Sequence, residues 1–162
     1  MTPLSDGERT ADADNPRGYL EWERIQQLPN DPGFIAEAEG KLVKVISRLL
    51  LSLPSNHEYR VIFMQRPLPE VLASQDQMLR RRGYKEGANP AAMAAAFEKH
   101  LREVYAWLDG RPYVKSMRVS YHEALRQPEE ATRKISEFLG VSLNMELMKR
   151  QVDASPYRNR TV

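Results

Sequence analysis

The chain's 162 residues match the ~150-residue size of one domain, and 41% hydrophobic with 28% charged residues excludes global disorder. A net charge of +2 is too small for a nucleic-acid footprint spread over a face, and the absence of cysteine excludes disulfides, thiolate zinc sites and cysteine nucleophiles. The longest apolar run, Ala91 to Phe97, is far short of the ~20 residues of a membrane span, and residues 1–6 carry neither a basic n-region nor an apolar h-region, so a cytoplasmic protein without a membrane partner is expected.

Residues 1–14 are polar and read as irregular, with at most a short strand at Thr2 to Ser5. Asn15-Pro16 is a helix start, because Asn caps and Pro fits the first turn. The predicted helix runs from Pro16 to Leu28, with Tyr19, Trp22, Ile25 and Leu28 recurring every three residues. After the turn Pro29 to Gly33, a short helical piece spans Phe34 to Glu39. Leu42 to Ile46 reads as a buried strand interrupted by Lys44, and Ser47 to Leu53 as a helix stopped by Pro54. Tyr59 to Met64 is the strongest strand signal; its run Val61, Ile62, Phe63, Met64 suits a parallel strand covered on both faces.

Pro67 to Arg82 is predicted helical, with Val71, Leu72, Met78 and Leu79 inward and Gly83 as stop. The next helix starts at Asn89-Pro90, carries Met93, Phe97, Leu101, Val104 and Leu108 on one face, and ends before Gly110. Val114 to Tyr121 alternates as a strand with Met117, Val119 and Tyr121 on one side, and Pro128 to Leu139 is a helix closed by Gly140. Strands separated by helices argue for an α/β fold with a parallel sheet, in which ligands gather at the carboxyl ends of the strands.

Arg66 stands at such an end. Its planar fork can hold phosphate oxygens, and the helix that follows aims its positive end at the same place. Ser74, two turns into that helix, lies on the face of its first turn. The three features converge on an anion, or they are a charged strand end and an ordinary helical serine; spacing alone leaves both open. Of the three histidines, His57 sits in a turn, His100 edges an apolar stripe, and His122 follows Tyr121 at a strand end. No His-x3-His spacing supports a metal. Arg80 to Arg82 read as a solvated helix end or a small basic patch.

The segment QRPLPEVLAS at 65–74 resembles the 3′-phosphate-binding motif of the sulfotransferases that use 3′-phosphoadenosine 5′-phosphosulfate (PAPS), in which a strand-end Arg and a Ser eight residues later hold the 3′-phosphate. The likeness extends in order through NPRGYLEWERI at 15–25, GKLVKVISRLL at 40–50, YRVIFMQR at 59–66, VLASQDQMLRRRG at 71–83 and VSYHEALRQPEEATRKISEFLG at 119–140. It implies a P-loop-type three-layer parallel sheet in a single domain, 1–162, with a C-terminal tail at 153–162. The resemblance assigns Arg66 and Ser74 to the 3′-phosphate, Tyr121 to the adenine, and the tail residues Arg158 and Arg160 to the same phosphate.

Two departures from the family pattern shape the functional expectation. The family holds the 5′-phosphosulfate in a Gly-rich loop between a first strand and a first helix, whereas this sequence has no G-x-x-x-x-G-K and no paired glycines. A strand, loop and helix need roughly 25–30 residues, and 14 precede Asn15. The first strand and phosphate loop are therefore expected to be missing, with Met1 an internal methionine of a longer protein and the flanking strand edges open to self-association. Relatives also carry a Lys that stabilises the bridging oxygen and, two residues on, a His as acceptor base; Lys44 fits the Lys, but the second position is Ile46, and His122, at a strand end where catalytic groups gather, is either a catalytic candidate or a structural histidine. The resemblance implies sulfuryl transfer from PAPS to a small-molecule hydroxyl or amine in the complete form. The alternative is a non-catalytic remnant or interaction module that keeps only the 3′-phosphate half-site.

Overall fold

The run Val61–Met64 forms the middle of β1 (Tyr59–Gln65), which pairs in parallel with β2 (Val114–Ser120) in a two-stranded sheet. This computed structural model describes residues 3–8, 10, 11, 18–81, 83 and 89–152. Its helices are α1 (Ser47–Leu50), α2 (Leu68–Arg81), α3 (Pro90–Asp109), α4 (Tyr121–Arg126), α5 (Pro128–Leu139) and α6 (Met145–Gln151), with two 3-10 segments, Glu23–Gln27 and Gly33–Ala38, ahead of them. The protein is thus α/β. The chain forms two compact units, one of Met1–Tyr59 with Arg102–Val114, the other of Arg60–Leu101 with Lys115–Val162.

The first unit holds most of the fully buried apolar side chains. Trp22, Ile25 and Leu28 point inward from the first 3-10 segment and its flanks, Phe34 and Ile35 from the second, and Leu49, Leu50 and Leu53 from α1 and the turn after it. Trp22 meets Phe34 edge to face at 5.1 Å. The C-terminal half of α3 adds Val104, Trp107 and Leu108. Tyr59 N–H donates to Tyr113 O at 2.8 Å, which anchors the start of β1.

Two predicted elements of this unit take another form. Of the helix expected over Pro16 to Leu28, the start at Asn15-Pro16 lies outside the described residues, and only Glu23–Gln27 is helical, as 3-10. Gly18 is left-handed (φ +79), and the Asp6 carboxylate accepts the Glu23 N–H at 2.6 Å, so the chain enters this turn extended, with Trp22 at ψ 98. The buried residues recur every three positions, the period of a 3-10 helix rather than an α-helix. The strand expected over Leu42 to Ile46 is reduced to a parallel bridge between Pro3 and Leu42. Beyond it Val43 and Val45 are half-buried while Leu42, Lys44 and Ile46 are exposed, which is the alternation of extended chain with one covered face.

In the second unit α2 follows β1 closely and spans Leu68–Arg81, close to the expected Pro67 to Arg82, and Gly83, the expected stop, is left-handed (φ +78). The coverage expected for β1 on both faces is not met: none of its residues is fully buried, and Met64 is 48% exposed. Among the described residues of this unit, Val119 of β2 and Leu139 of α5 are the buried apolar ones. Arg60 donates Nη1 to the carbonyls of Phe138 and Leu139, closing the C-terminus of α5. Two short helices were not expected from sequence. Ser120 caps α4 through Glu123 N–H, and Asn144 caps α6 through Leu147 N–H.

Candidate functional site

Because β1 and β2 are parallel neighbours, their carboxyl ends lie side by side. Arg66 leaves the end of β1, and Tyr121 and His122 open α4 directly after β2. Between them stands Glu70, in the first turn of α2, with a side chain only 1% exposed. Arg66 donates Nε to Glu70 Oε2 at 3.0 Å, and His122 Nε2 lies 3.1 Å from the same oxygen. The Arg66 guanidinium also rests 5.5 Å from the centre of the Tyr121 ring.

The energetics of this cluster follow from burial. An ionised carboxylate out of water is costly unless it is paired and hydrogen-bonded, and Glu70 has both a guanidinium and an imidazole nitrogen at one oxygen. Among the described residues no buried side-chain nitrogen or oxygen lacks a hydrogen-bond partner. Arg66 and His122 keep partial access to water, with side chains 24% and 28% exposed. The arrangement is therefore a fixed buried anion with a guanidinium and an imidazole mounted on it, both reaching the surface beside an aromatic face. A guanidinium so placed suits phosphate oxygens, and the adjacent ring suits a planar base or a second cation–π contact.

Ser74 follows Glu70 by one helical turn on α2 and is half-buried, so the two share a face. The first turn of α2 uses part of its backbone donors internally. Pro69 has no N–H, and the N–H groups of Glu70 and Val71 both point to Pro67 O, at 3.0 and 3.2 Å. Side chains rather than helix N–H groups of these positions would hold an anion here.

Lys44 belongs to the first unit, not on a strand as expected but in the extended stretch after the Leu42 bridge. Its Nζ lies 2.9 Å from Glu21 Oε1 and 5.7 Å from the centre of the Tyr19 ring, with the side chain 52% exposed. The structure thus brings Arg66, Tyr121 and His122 together and sets Ser74 on the helix they adjoin. Arg158 and Arg160 lie outside the described residues. Glu70 is the member that sequence reasoning missed; its signal was the four-residue spacing from Arg66 at a helix start. No group of His, Asp and Glu able to hold a metal occurs among the described residues.

Comparison with protein-family models, with curated proteins and with solved structures finds no match for this chain.

Proposed function

We propose that the second unit carries the 3′-phosphate half of a nucleotide site of the PAPS-dependent sulfotransferase type, on a P-loop-type sheet. The observation that supports this reading most is the meeting of Arg66 with Tyr121 at the carboxyl ends of two adjacent parallel strands, where α/β folds bind ligands. Arg66 would hold phosphate oxygens, Ser74 would add a hydroxyl donor, and the Tyr121 ring would flank the adenine. PAPS, the co-substrate, supplies the sulfuryl group in the complete form of such an enzyme. His122, as the candidate base, would take the acceptor's proton.

A second reading, nucleotide binding without transfer, is favoured by Lys44. Lys44, the counterpart of the family's lysine, is exposed and engaged with Glu21. Both readings require the 3′-phosphate contact, and isothermal titration with adenosine 3′,5′-bisphosphate tests it. Arg66→Ala is expected to abolish binding. Ser74→Ala should weaken it by about 1.5–3 kcal/mol, the range for a hydrogen bond to a charged group. Lys44→Ala should leave it unchanged. Binding by the wild type that Arg66→Ala does not reduce would overturn the assignment.

A further inference from the structure

We infer that Glu70 is the positioning residue of this anion site, acting on a bound phosphate through Arg66 without touching it and holding His122 from the same oxygen; the inference rests on the phosphate reading above. Three observations carry it. Glu70 is almost wholly buried, so its carboxylate is not itself a contact surface for a ligand in water. One oxygen, Oε2, meets both Arg66 Nε and His122 Nε2. The two groups come from different elements, Arg66 from the end of β1 and His122 from the start of α4.

The choice of nitrogen matters. Arg has a long stem with several rotatable bonds, and a bond at Nε, next to that stem, sets the plane of the whole guanidinium. With the Tyr121 ring as a second contact, the plane and position of the fork are fixed before any ligand arrives, and preorganisation of this kind removes an ordering cost from binding. At His122 the same oxygen requires that the hydrogen be on Nε2, which fixes the ring's tautomer when it is neutral. A single buried carboxylate therefore orients the cation and the imidazole together.

An opposing effect has to be weighed. The carboxylate also offsets the charge of Arg66, so its removal would strengthen attraction to a phosphate if the fork held its place without it. The sign of the change on removing Glu70 decides between the two roles.

The test uses the full chain, titrated with adenosine 3′,5′-bisphosphate and with adenosine 5′-monophosphate, together with the Arg66 Nε–H resonance in nitrogen-correlated NMR spectra. The wild type should prefer the bisphosphate by about tenfold or more, in line with a charged hydrogen bond, and show the Arg66 Nε–H signal protected from exchange. Glu70→Ala should lose the preference and the signal. Glu70→Gln, whose amide oxygen still accepts from Nε, should keep the signal and part of the preference. That partial rescue is a result that general loosening of the fold would not give. If the wild type prefers the bisphosphate and Glu70→Ala binds it equally or more tightly, the positioning role is overturned and the phosphate site stands. Should Glu70→Ala fail to fold, an undiminished preference in Glu70→Gln overturns the role in the same way. A wild type without any preference overturns the phosphate reading and this role with it.

Discussion

Tyr59 donates its hydroxyl to Pro54 O at 2.9 Å, and burial, reinforced by the neighbouring Tyr113, pushes its ionisation up to about 12. The unfolded chain titrates this group near ~10. The folded form therefore holds the proton more tightly, and the stability this represents is fully present below pH ~10 and is lost as pH rises through about 12. Tyr59→Phe should cost about 0.5–1.5 kcal/mol at pH 7 for the lost hydrogen bond and should flatten the alkaline decline. Denaturant melts at pH 7 and across pH 10–12 check both, and a variant that declines as steeply as wild type would refute the alkaline part. At this same scale the candidate site was half legible. Arg66 and Tyr121 stand out because strand ends are where polar groups become useful, and that much follows from the pattern of apolar runs. Glu70 does not stand out, since its burial depends on His122, 52 residues away in sequence, and no local pattern reports a contact at that distance. Lys44 was misplaced for the converse reason: a lysine flanked by valines suits a strand, but a strand needs a partner along its length, and only Leu42 finds one among the described residues.

The element scale shows which sequence signals were sufficient. Where a helix has both an amphipathic stripe and a stop, as in α2, α3 and α5, the sequence places it within a residue or two of its observed ends. The step of three at Trp22, Ile25 and Leu28 already carries the 3-10 period. From sequence the same residues suit an α-helix, because the bond from Glu23 N–H to Asp6 is not visible locally. The helices α4 and α6 were missed since each is at most two turns long and is set mainly by its cap, Ser120 or Asn144. The closure of α5 makes the prediction at this scale. Gly140 is left-handed (φ +65), and a Cβ there would stand 3.1 Å from Arg60 Nη1, the nitrogen that caps the helix. Gly140→Ala should destabilise the chain by about 1–2 kcal/mol for the left-handed backbone alone. Arg60 sits at the end of a flexible side chain and can yield, so the close contact should add little. Equilibrium unfolding in urea measures the difference, and a neutral result would mean that the helix end relaxes out of the left-handed form.

For the whole molecule, the parallel pairing of β1 with β2 has the greatest functional consequence. It takes two sequence segments separated by α2 and α3 and brings their carboxyl ends together, so that Arg66, Glu70, Tyr121 and His122 become one cluster. Strand type and helix type were readable from composition and period, and the α/β class followed from their alternation. The extent of the sheet was not readable, because pairing is a long-range property and the apolar run of β1 is equally consistent with a strand buried on both faces and one that leaves Met64 open to water. The division of buried apolar side chains is also hidden: among the described residues they concentrate in the first unit, while the second, which bears the candidate site, adds to Val119 and Leu139 a buried carboxylate, Glu70, paired with Arg66. The central claim is that this cluster is where a 3′-phosphorylated nucleotide binds, and its most direct test is chemical-shift mapping of the full chain with adenosine 3′,5′-bisphosphate against adenosine 5′-monophosphate. The account predicts that the shifts unique to the bisphosphate fall on Arg66, Glu70, Ser74, Tyr121 and His122; bisphosphate-specific shifts confined to other residues, or none at saturating nucleotide, would contradict it.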